Sequence, residues 1–399
     1  MNNGTKPTVF ILEGNFLGLE MARELLEAGY SVVVVGHLKS DIALYTRGVK
    51  GIVLPLPQDA PDVLMAGLLK EAGEVTGDKV IIGASEGYGK WLSQNKKELS
   101  PQYKMLDCQV EEITALLDKW NQLQMAVSAG IAIPQSSILD ENNEPAKNIK
   151  FPVVVKARYS TKSMLFRDSL GEKVILANND RELNNACDKT TDLGFKPLIQ
   201  EVIPGVDYNQ FLFGAAVKDG TPYAVCLAQK LKANPQPYGS GVVIRTIYHQ
   251  EIYDAGVKFL KQINYSGICD IEFMRNWNTG EFQFIEFNPR YGLGQRVSQM
   301  AGVSLAEIAV EMAMGSRPSD IKIAEPGFYW VYFDEWIKER LMPWRNSFTR
   351  SLRTPSNTAK IFDIRDCQPE LRHVRNLLLL KIKRRGNIFP GFSGKLQNN

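Results

Sequence analysis

Residues 267–292 read GICDIEFMRNWNTGEFQFIEFNPRYG. Two runs of alternating apolar residues, centred on Ile271 and Phe284, flank the turn-like NWNTG, a pattern that predicts a β-hairpin with Glu272 facing Glu286. On the second strand, a side-chain period of two sends Glu286, Asn288 and Arg290 to one face and Ile285, Phe287 and Pro289 to the other. Like charges opposed on a sheet are destabilising, so this concentration needs a reason. Magnesium supplies one: it takes oxygen ligands in octahedral geometry, commonly one or two carboxylates together with substrate phosphates. Glu272, Glu286 and the Asn288 carbonyl are the candidate ligands. Arg290 would aim a planar set of donors at a phosphate or carboxylate held by the metal. The competing reading is a solvated sheet face with paired surface charges.

Glu272, a spacing of fourteen residues, and then Glu286-x-Asn288-Pro289-Arg290 resembles the metal-binding hairpin of the ATP-grasp superfamily, as in biotin carboxylase, the carboxylate–amine ligases and D-aspartate ligase-like enzymes. The resemblance covers roughly residues 8 to 310. It implies ATP and Mg2+ as cofactors, with Mn2+ as the alternative metal. It also implies a role for the lysine of Asp118-Lys119, which would open a helix and reach a phosphate, and for Lys156, which closes the strand FPVVVKAR. An ammonium about 4 Å from a phosphate oxygen contributes roughly 4 kcal/mol at an effective dielectric near 20, and two together can hold a polyphosphate. By the same resemblance, RYSTKSMLFRDSLGEK at 158–173 is a phosphate-covering loop. KPLIQEVIPGVD is the linker around the purine, with Gln200, Glu201 and Val202 beside the base and Glu201 or Asp207 near the ribose. For the acceptor side, Lys230, Lys232 and Arg245 are candidates, with Arg245 preferred because an unpaired charge inside an apolar run is costly.

Three regions must position these groups. TVFILEGNFLGLEMARELLEAGYSVVVVG reads as strand, glycine turn, amphipathic helix and strand, the leading unit of an open α/β sheet. Its GNFLG turn lacks the full GxGxxG pattern, and no carboxylate ends the second strand, which argues against NAD. A strand at 79–85 continues this sheet, and a helix is expected from Val110 to Ser128. Helices are also expected near 180–192 and 251–263 within a strand-rich region. The expected organisation is α/β and α+β. A Rossmann-like pre-ATP-grasp domain at 1–115 leads into an ATP-grasp domain at 116–315, whose central lid subdomain spans about 150–205, and then into a C-terminal extension at 316–399. Within that extension LRHVRNLLLLKIKRRGNIF, at 371–389, reads as a basic amphipathic helix. Either Leu371, Val374, Leu378 and Ile382 pack on the body, or the helix makes peripheral contact with an anionic membrane.

Bulk composition is compatible with all of this. Of 399 residues, 44% are apolar and 23% charged, and the net charge is +3, ordinary for a folded globular chain and too small to point to nucleic acid. The five cysteines are scattered without a CxxC pair, which favours a reducing compartment over zinc or disulfides. With no signal-peptide pattern and no run long enough to span a bilayer, a cytoplasmic location is expected. The three histidines have no metal-spaced companions, and neither a GxSxG elbow nor a Cys–His pairing is evident.

The expected reaction therefore moves the terminal phosphate of ATP onto an oxygen nucleophile. By resemblance that nucleophile is a carboxylate, an amine then attacks the acyl phosphate, and both partners are small molecules. The alternatives are a carboxylase using bicarbonate and a non-catalytic ATP-binding protein. Oligomeric state is not legible, and a homodimer stays open.

Overall fold

A computed structural model describes residues 6–106, 110–142, 144–145, 149–205, 209–236, 238–341 and 364–386. Fifteen strands lie among them, forming three sheets. In the first sheet, β1 (Thr8–Leu12), β2 (Ser31–Gly36), β3 (Val49–Val53) and β4 (Lys79–Gly83) run parallel in the order β3-β2-β1-β4. Val9 and Ile11 enter one apolar cluster while Phe10 and Leu12 enter another, so β1 is buried on both faces. This is why its sequence after Thr8 is uninterrupted by polar residues.

The second sheet is small and antiparallel: β5 (Ser136–Ile138), β6 (Val153–Ala157), β7 (Ile175–Ala177) and β8 (Pro197–Glu201), in the order β5-β8-β6-β7. Alternation on β6 decides its use. Val153 and Val155 pack with Leu183, Ala186 and Cys187 of the helix Asp180–Asp192, which leaves Val154 and Lys156 to the opposite face.

The third sheet has seven strands. β9 (Gln210–Lys218), β10 (Thr221–Asn234), β11 (Ser240–Thr246), β12 (Gly267–Arg275), β13 (Phe282–Asn288) and β15 (Tyr329–Val331) run in the order β13-β12-β9-β10-β11-β15, with β14 (Lys322–Ile323) paired to β10. One face is closed by the helix Gln250–Gln262, whose Phe259 meets Phe284 and Phe287. Because β14 and β15 belong to this sheet, it continues past residue 315, where the sequence reading had begun a separate extension.

The helix expected from Val110 to Ser128 is two helices, Val110–Leu116 and Lys119–Ser128. Asp118 separates them by acting as N-cap: its side chain accepts the Trp120 N–H at 3.0 Å.

The N-terminal sheet is joined to the rest through polar groups buried on the helix Phe16–Glu27. Glu24 is fully buried and accepts from the Tyr291 hydroxyl at 2.5 Å, Ser304 Oγ at 2.6 Å and the Ala306 N–H at 2.9 Å. Glu20 accepts the Trp330 Nε1–H at 3.0 Å, and Arg23 pairs with Glu370 and Asp366. The helix Gln368–Gly386 docks through such contacts, including His373–Asp334 at 2.6 Å and Arg372 stacked 3.2 Å from the Tyr45 ring centroid. Among the described residues, its leucines Leu371, Leu377, Leu378 and Leu379 are exposed. Leu371 is 60% exposed and Leu378 56%, so the expectation that they pack on the body is corrected; Ile382 lies outside the residues whose side chains are described. Among the described residues, no helix is long and apolar enough to cross a membrane.

Candidate active site

A cleft of about 460 Å³ lies where the three sheets converge. That volume falls within the roughly 300–1,000 Å³ of a small-molecule site.

Its centre is the hairpin β12–β13. Glu272 is the cross-strand partner of Glu286, and Asp270 that of Asn288, as the expected pairing requires. The register shifts between Glu272 and Phe273, a bulge that puts Phe284 and Phe287 into one core. Ile285, assigned by simple alternation to the face away from Glu286, lines the cleft beside it because of this bulge.

Lys119 begins its helix and is buried, with Nζ 3.2 Å from Glu286 Oε1 and 3.0 Å from Ser163 Oγ. Gln122, fully buried one turn further on, sets that distance. Its Nε2 donates to Phe287 O at 2.8 Å and to Leu116 O at 2.6 Å, while its Oε1 accepts the Phe287 N–H at 2.9 Å. Helix and hairpin are thereby tied residue to residue. Asp118, besides capping the helix, holds Arg158 through two guanidinium nitrogens at 2.6–3.0 Å.

Lys156 reaches the cleft from β6, and its Nζ donates to Gln200 Oε1 at 2.9 Å. Burial, and then the charge of Lys119, pushes its ammonium down to about 8. Burial acts to raise the Glu286 carboxyl, but Lys119, Lys156 and Arg290 prevail and hold it below the usual carboxylate range. Asp270 goes the other way: burial, then the neighbouring Glu272 charge, lifts it to about 7 against the opposing charges of Arg290 and Lys230.

Arg290 donates from Nε to Glu86 Oε1 at 2.8 Å and from NH2 to Asn288 Oδ1 at 3.3 Å. Gln200, Glu201 and Val202 all line the cleft. The Val202 N–H is already given to Pro152 O at 3.0 Å, so this residue offers its side chain, and Ile203 continues the wall. Asp207 lies outside the described residues. The segment 158–173, expected as a loop, forms a short 3₁₀ turn at Ser160–Lys162 and a helix at Ser163–Leu170.

Arg245 requires a correction. On β11 it is the neighbour of Ile244, which lines the cleft, and alternation therefore sends Arg245 to the other face, where its NH2 donates to Gln229 Oε1 at 3.2 Å. The cross-strand partner of Ile244 is Lys230, and this buried lysine lies in the cleft, its Nζ 4.0 Å from Glu272. Lys232 instead pairs with Glu335. Glu13, Ser85, Glu86, Asp270 and Lys173 also line the cleft, though the sequence reading did not single them out.

The donor set suits a hard cation. Among the described residues, no group of three or more His, Cys, Asp or Glu side chains could hold a metal by itself. Two carboxylates and one amide oxygen make a partial oxygen shell of the kind magnesium completes with phosphate and water.

The sequence family described as carbamoyl-phosphate synthase L chain, ATP binding domain, matches residues 242–320. D-aspartate ligase of Enterococcus faecium is 25% identical over 315 residues, covering 75% of this chain and 74% of that protein. Carbamoyl phosphate synthase large chains also match, and this chain spans less than two thirds of their length. Among solved structures, N5-carboxyaminoimidazole synthetase of Staphylococcus aureus complexed with ADP superposes with a TM-score of 0.63 at 16% identity, covering 86% of this chain and 88% of that one. L-amino acid ligase of Bacillus licheniformis does so with 0.61 at 15%, covering 79% and 76%. At these identities the structural likeness establishes the fold alone.

Proposed function

We propose that this chain, an ATP-grasp protein of the carboxylate–amine ligase type, activates a carboxylate as an acyl phosphate and joins it to an amine, releasing ADP and phosphate. The observation that carries this reading is the pairing of Glu272 with Glu286 where Lys119 and Lys156 converge. The parallel order β3-β2-β1-β4 supports a Rossmann-like pre-ATP-grasp unit at the N-terminus.

In this reading Lys119 and Lys156 neutralise phosphate oxygens, and Gln200, Glu201, Val202 and Ile203 surround the purine. Glu272, Glu286 and the Asn288 carbonyl would hold Mg2+, which when bound offsets charge on the transferring phosphoryl group. Arg290 orients the carboxylate substrate. A carboxylate oxygen attacks the γ-phosphorus, the bond to the bridging oxygen breaks, and ADP leaves with the electron pair. The amine attacks the acyl carbon as its free base; the carbon–oxygen bond breaks with its electron pair leaving on phosphate, the nitrogen's proton passes to that departing phosphate, and an amide remains. Catalysis of this kind is positioning and charge compensation by groups already in place.

With ATP, Mg2+ and the correct carboxylate, the products should be ADP and phosphate, and hydroxylamine should trap a hydroxamate. AMP and pyrophosphate would instead indicate adenylation.

Nucleotide binding should also depend on pH. The Lys156 ammonium titrates at about 8 in the free protein, and bound phosphates stabilise its charged form, so binding takes up a proton above that pH. Affinity for a non-hydrolysable ATP analogue is expected to be flat up to about pH 7.5 and to fall beyond 8, approaching about ten-fold per pH unit. Lys156→Arg should flatten the profile, since a guanidinium does not deprotonate in this range. Analogue titrations from pH 6.5 to 9.5 measure both.

The exposed Leu371, Leu377, Leu378 and Leu379 on the helix Gln368–Gly386 support peripheral contact with an anionic membrane. The full chain should co-sediment with vesicles containing anionic lipid more than with neutral ones, and Leu371→Ser with Leu378→Ser should abolish the difference. Equal sedimentation with both vesicle types rejects the contact.

A further inference from the structure

Arg290 lies two residues past the end of β13, and its guanidinium directs three donors at three fixed acceptors. Nε meets Glu86 Oε1 at 2.8 Å, NH2 meets Asn288 Oδ1 at 3.3 Å, and NH1 meets the carbonyl of the next residue, Tyr291, at 3.2 Å. Because that last acceptor is backbone, the tilt of the Tyr291 peptide group bears directly on where the fork points. A planar fork tolerates little rotation before its bonds lose alignment.

What holds that peptide is the Tyr291 side chain. It is buried in the core that includes Leu19 and Leu25 of the helix Phe16–Glu27, and its hydroxyl donates to Glu24 Oε2 at 2.5 Å. The other oxygen of Glu24 accepts Ser304 Oγ at 2.6 Å and the Ala306 N–H at 2.9 Å, so the carboxylate is fixed independently of Tyr291. Further along the segment, Arg296 pairs with Glu27 at 2.6 Å and Gln299 Nε2 donates to Glu24 O at 3.2 Å. The chain after Arg290 is thus docked on the last two turns of that helix. From the opposite side Gln295 ties the same turn to β12: Oε1 accepts the Gly292 N–H at 2.8 Å and Nε2 donates to Cys269 O at 2.8 Å. A Cβ on Gly214 of β9 would stand 2.6 Å from that nitrogen, so glycine there makes room for the tie.

We propose that Tyr291 and Glu24 are positioning residues for Arg290, and that their hydrogen bond, made in the core outside the cleft, sets the aim of the guanidinium within it. This rests on the ligase reading, in which Arg290 orients the carboxylate substrate, and deepens it. The helix Phe16–Glu27 thereby acts on the reacting centre through Glu24 without touching a reactant. A misplacement of about 1 Å in such a group can cost on the order of a hundred-fold in rate.

The test compares two substitutions that each remove one hydroxyl from the same carboxylate. Tyr291→Phe deletes the bond beside Arg290, and Ser304→Ala deletes one on the far side, where the Ala306 N–H still serves the same oxygen. Three measurements are made on the full chain. They are hydrogen–deuterium exchange by peptide, titration with a non-hydrolysable ATP analogue and Mg2+, and ADP release with L- and D-amino acids as the carboxylate and hydroxylamine as the amine. Tyr291→Phe should speed exchange across residues 290–295 and lower kcat by about ten-fold to a hundred-fold, while KM for ATP and the affinity and stoichiometry of the analogue hold. Ser304→Ala should leave kcat and the exchange of that turn near the parent values. Glu24→Gln, whose amide can donate to the Tyr291 oxygen, should keep most of kcat. If Tyr291→Phe alone does not fold, Tyr291→Phe with Glu24→Gln, which leaves no unpaired carboxylate, takes its place with the same expectation. An unchanged kcat in Tyr291→Phe, or equal losses in Tyr291→Phe and Ser304→Ala, overturns the proposal. If the parent binds the analogue but releases no ADP with any of these acids, the exchange contrast decides alone. If the analogue does not bind at all, the ligase reading falls, and the exchange contrast still judges the tie.

Discussion

Glu286→Gln is expected to leave the fold intact and to reduce turnover by about a hundred-fold to a thousand-fold or more, the cost typical of deleting one preorganised charge contact. The substitution keeps the shape and the cross-strand pairing with Glu272 but removes the negative charge. Lys119, 3.2 Å away, and Lys156 then lose the carboxylate that compensates their mutual repulsion. Loss of metal affinity and loss of rate should therefore appear together, the first by Mg2+ titration of analogue binding and the second by ADP release. Nucleotide affinity without metal should hold or rise, because two ammonium groups are left facing the phosphates. Turnover within a few-fold of the parent would show that the hairpin does not hold a catalytic metal.

The hairpin was legible because a strand's period and a turn signal are local. Glu272 and Glu286 could be matched from NWNTG outward, and Lys119 could be set at a helix start by the preceding aspartate. The bulge at Ile285 could not, since nothing within the strand distinguishes one register from its neighbour; the packing of Phe284 and Phe287 against Phe259 decides it. Gln122 escaped notice for the same reason. Its value lies in a contact 165 residues away, to a backbone pair whose position the sheet alone defines. Glu13 and Glu86 follow ordinary strands, and only the order β3-β2-β1-β4 brings them together at one edge. Reading Arg245 as a buried, unpaired charge ignored its cross-strand partner Gln229, which a sequence without the β10–β11 register cannot supply.

The contrast between two arginines tests the geometry most sharply. Arg290→Lys should lower kcat by about a hundred-fold to a thousand-fold, with affinity for the ATP analogue changed by no more than a few-fold. A lysine keeps the charge but cannot direct one planar fork to Glu86 and Asn288 at once. On the proposed role of Arg290, what is lost is orientation of the reacting carboxylate and not the field of a cation. Arg245→Ala, on the opposite face of β11, should leave kcat within about two-fold, as surface substitutions away from a site usually do. Rates for both variants under saturating substrates, with analogue binding measured in parallel, decide the matter. If Arg245→Ala removes turnover while Arg290→Lys spares it, the acceptor side lies on the other face of the large sheet. A loss in both, with analogue affinity intact, would mean that the β10–β11 register carries the alignment of the site as well as its lining.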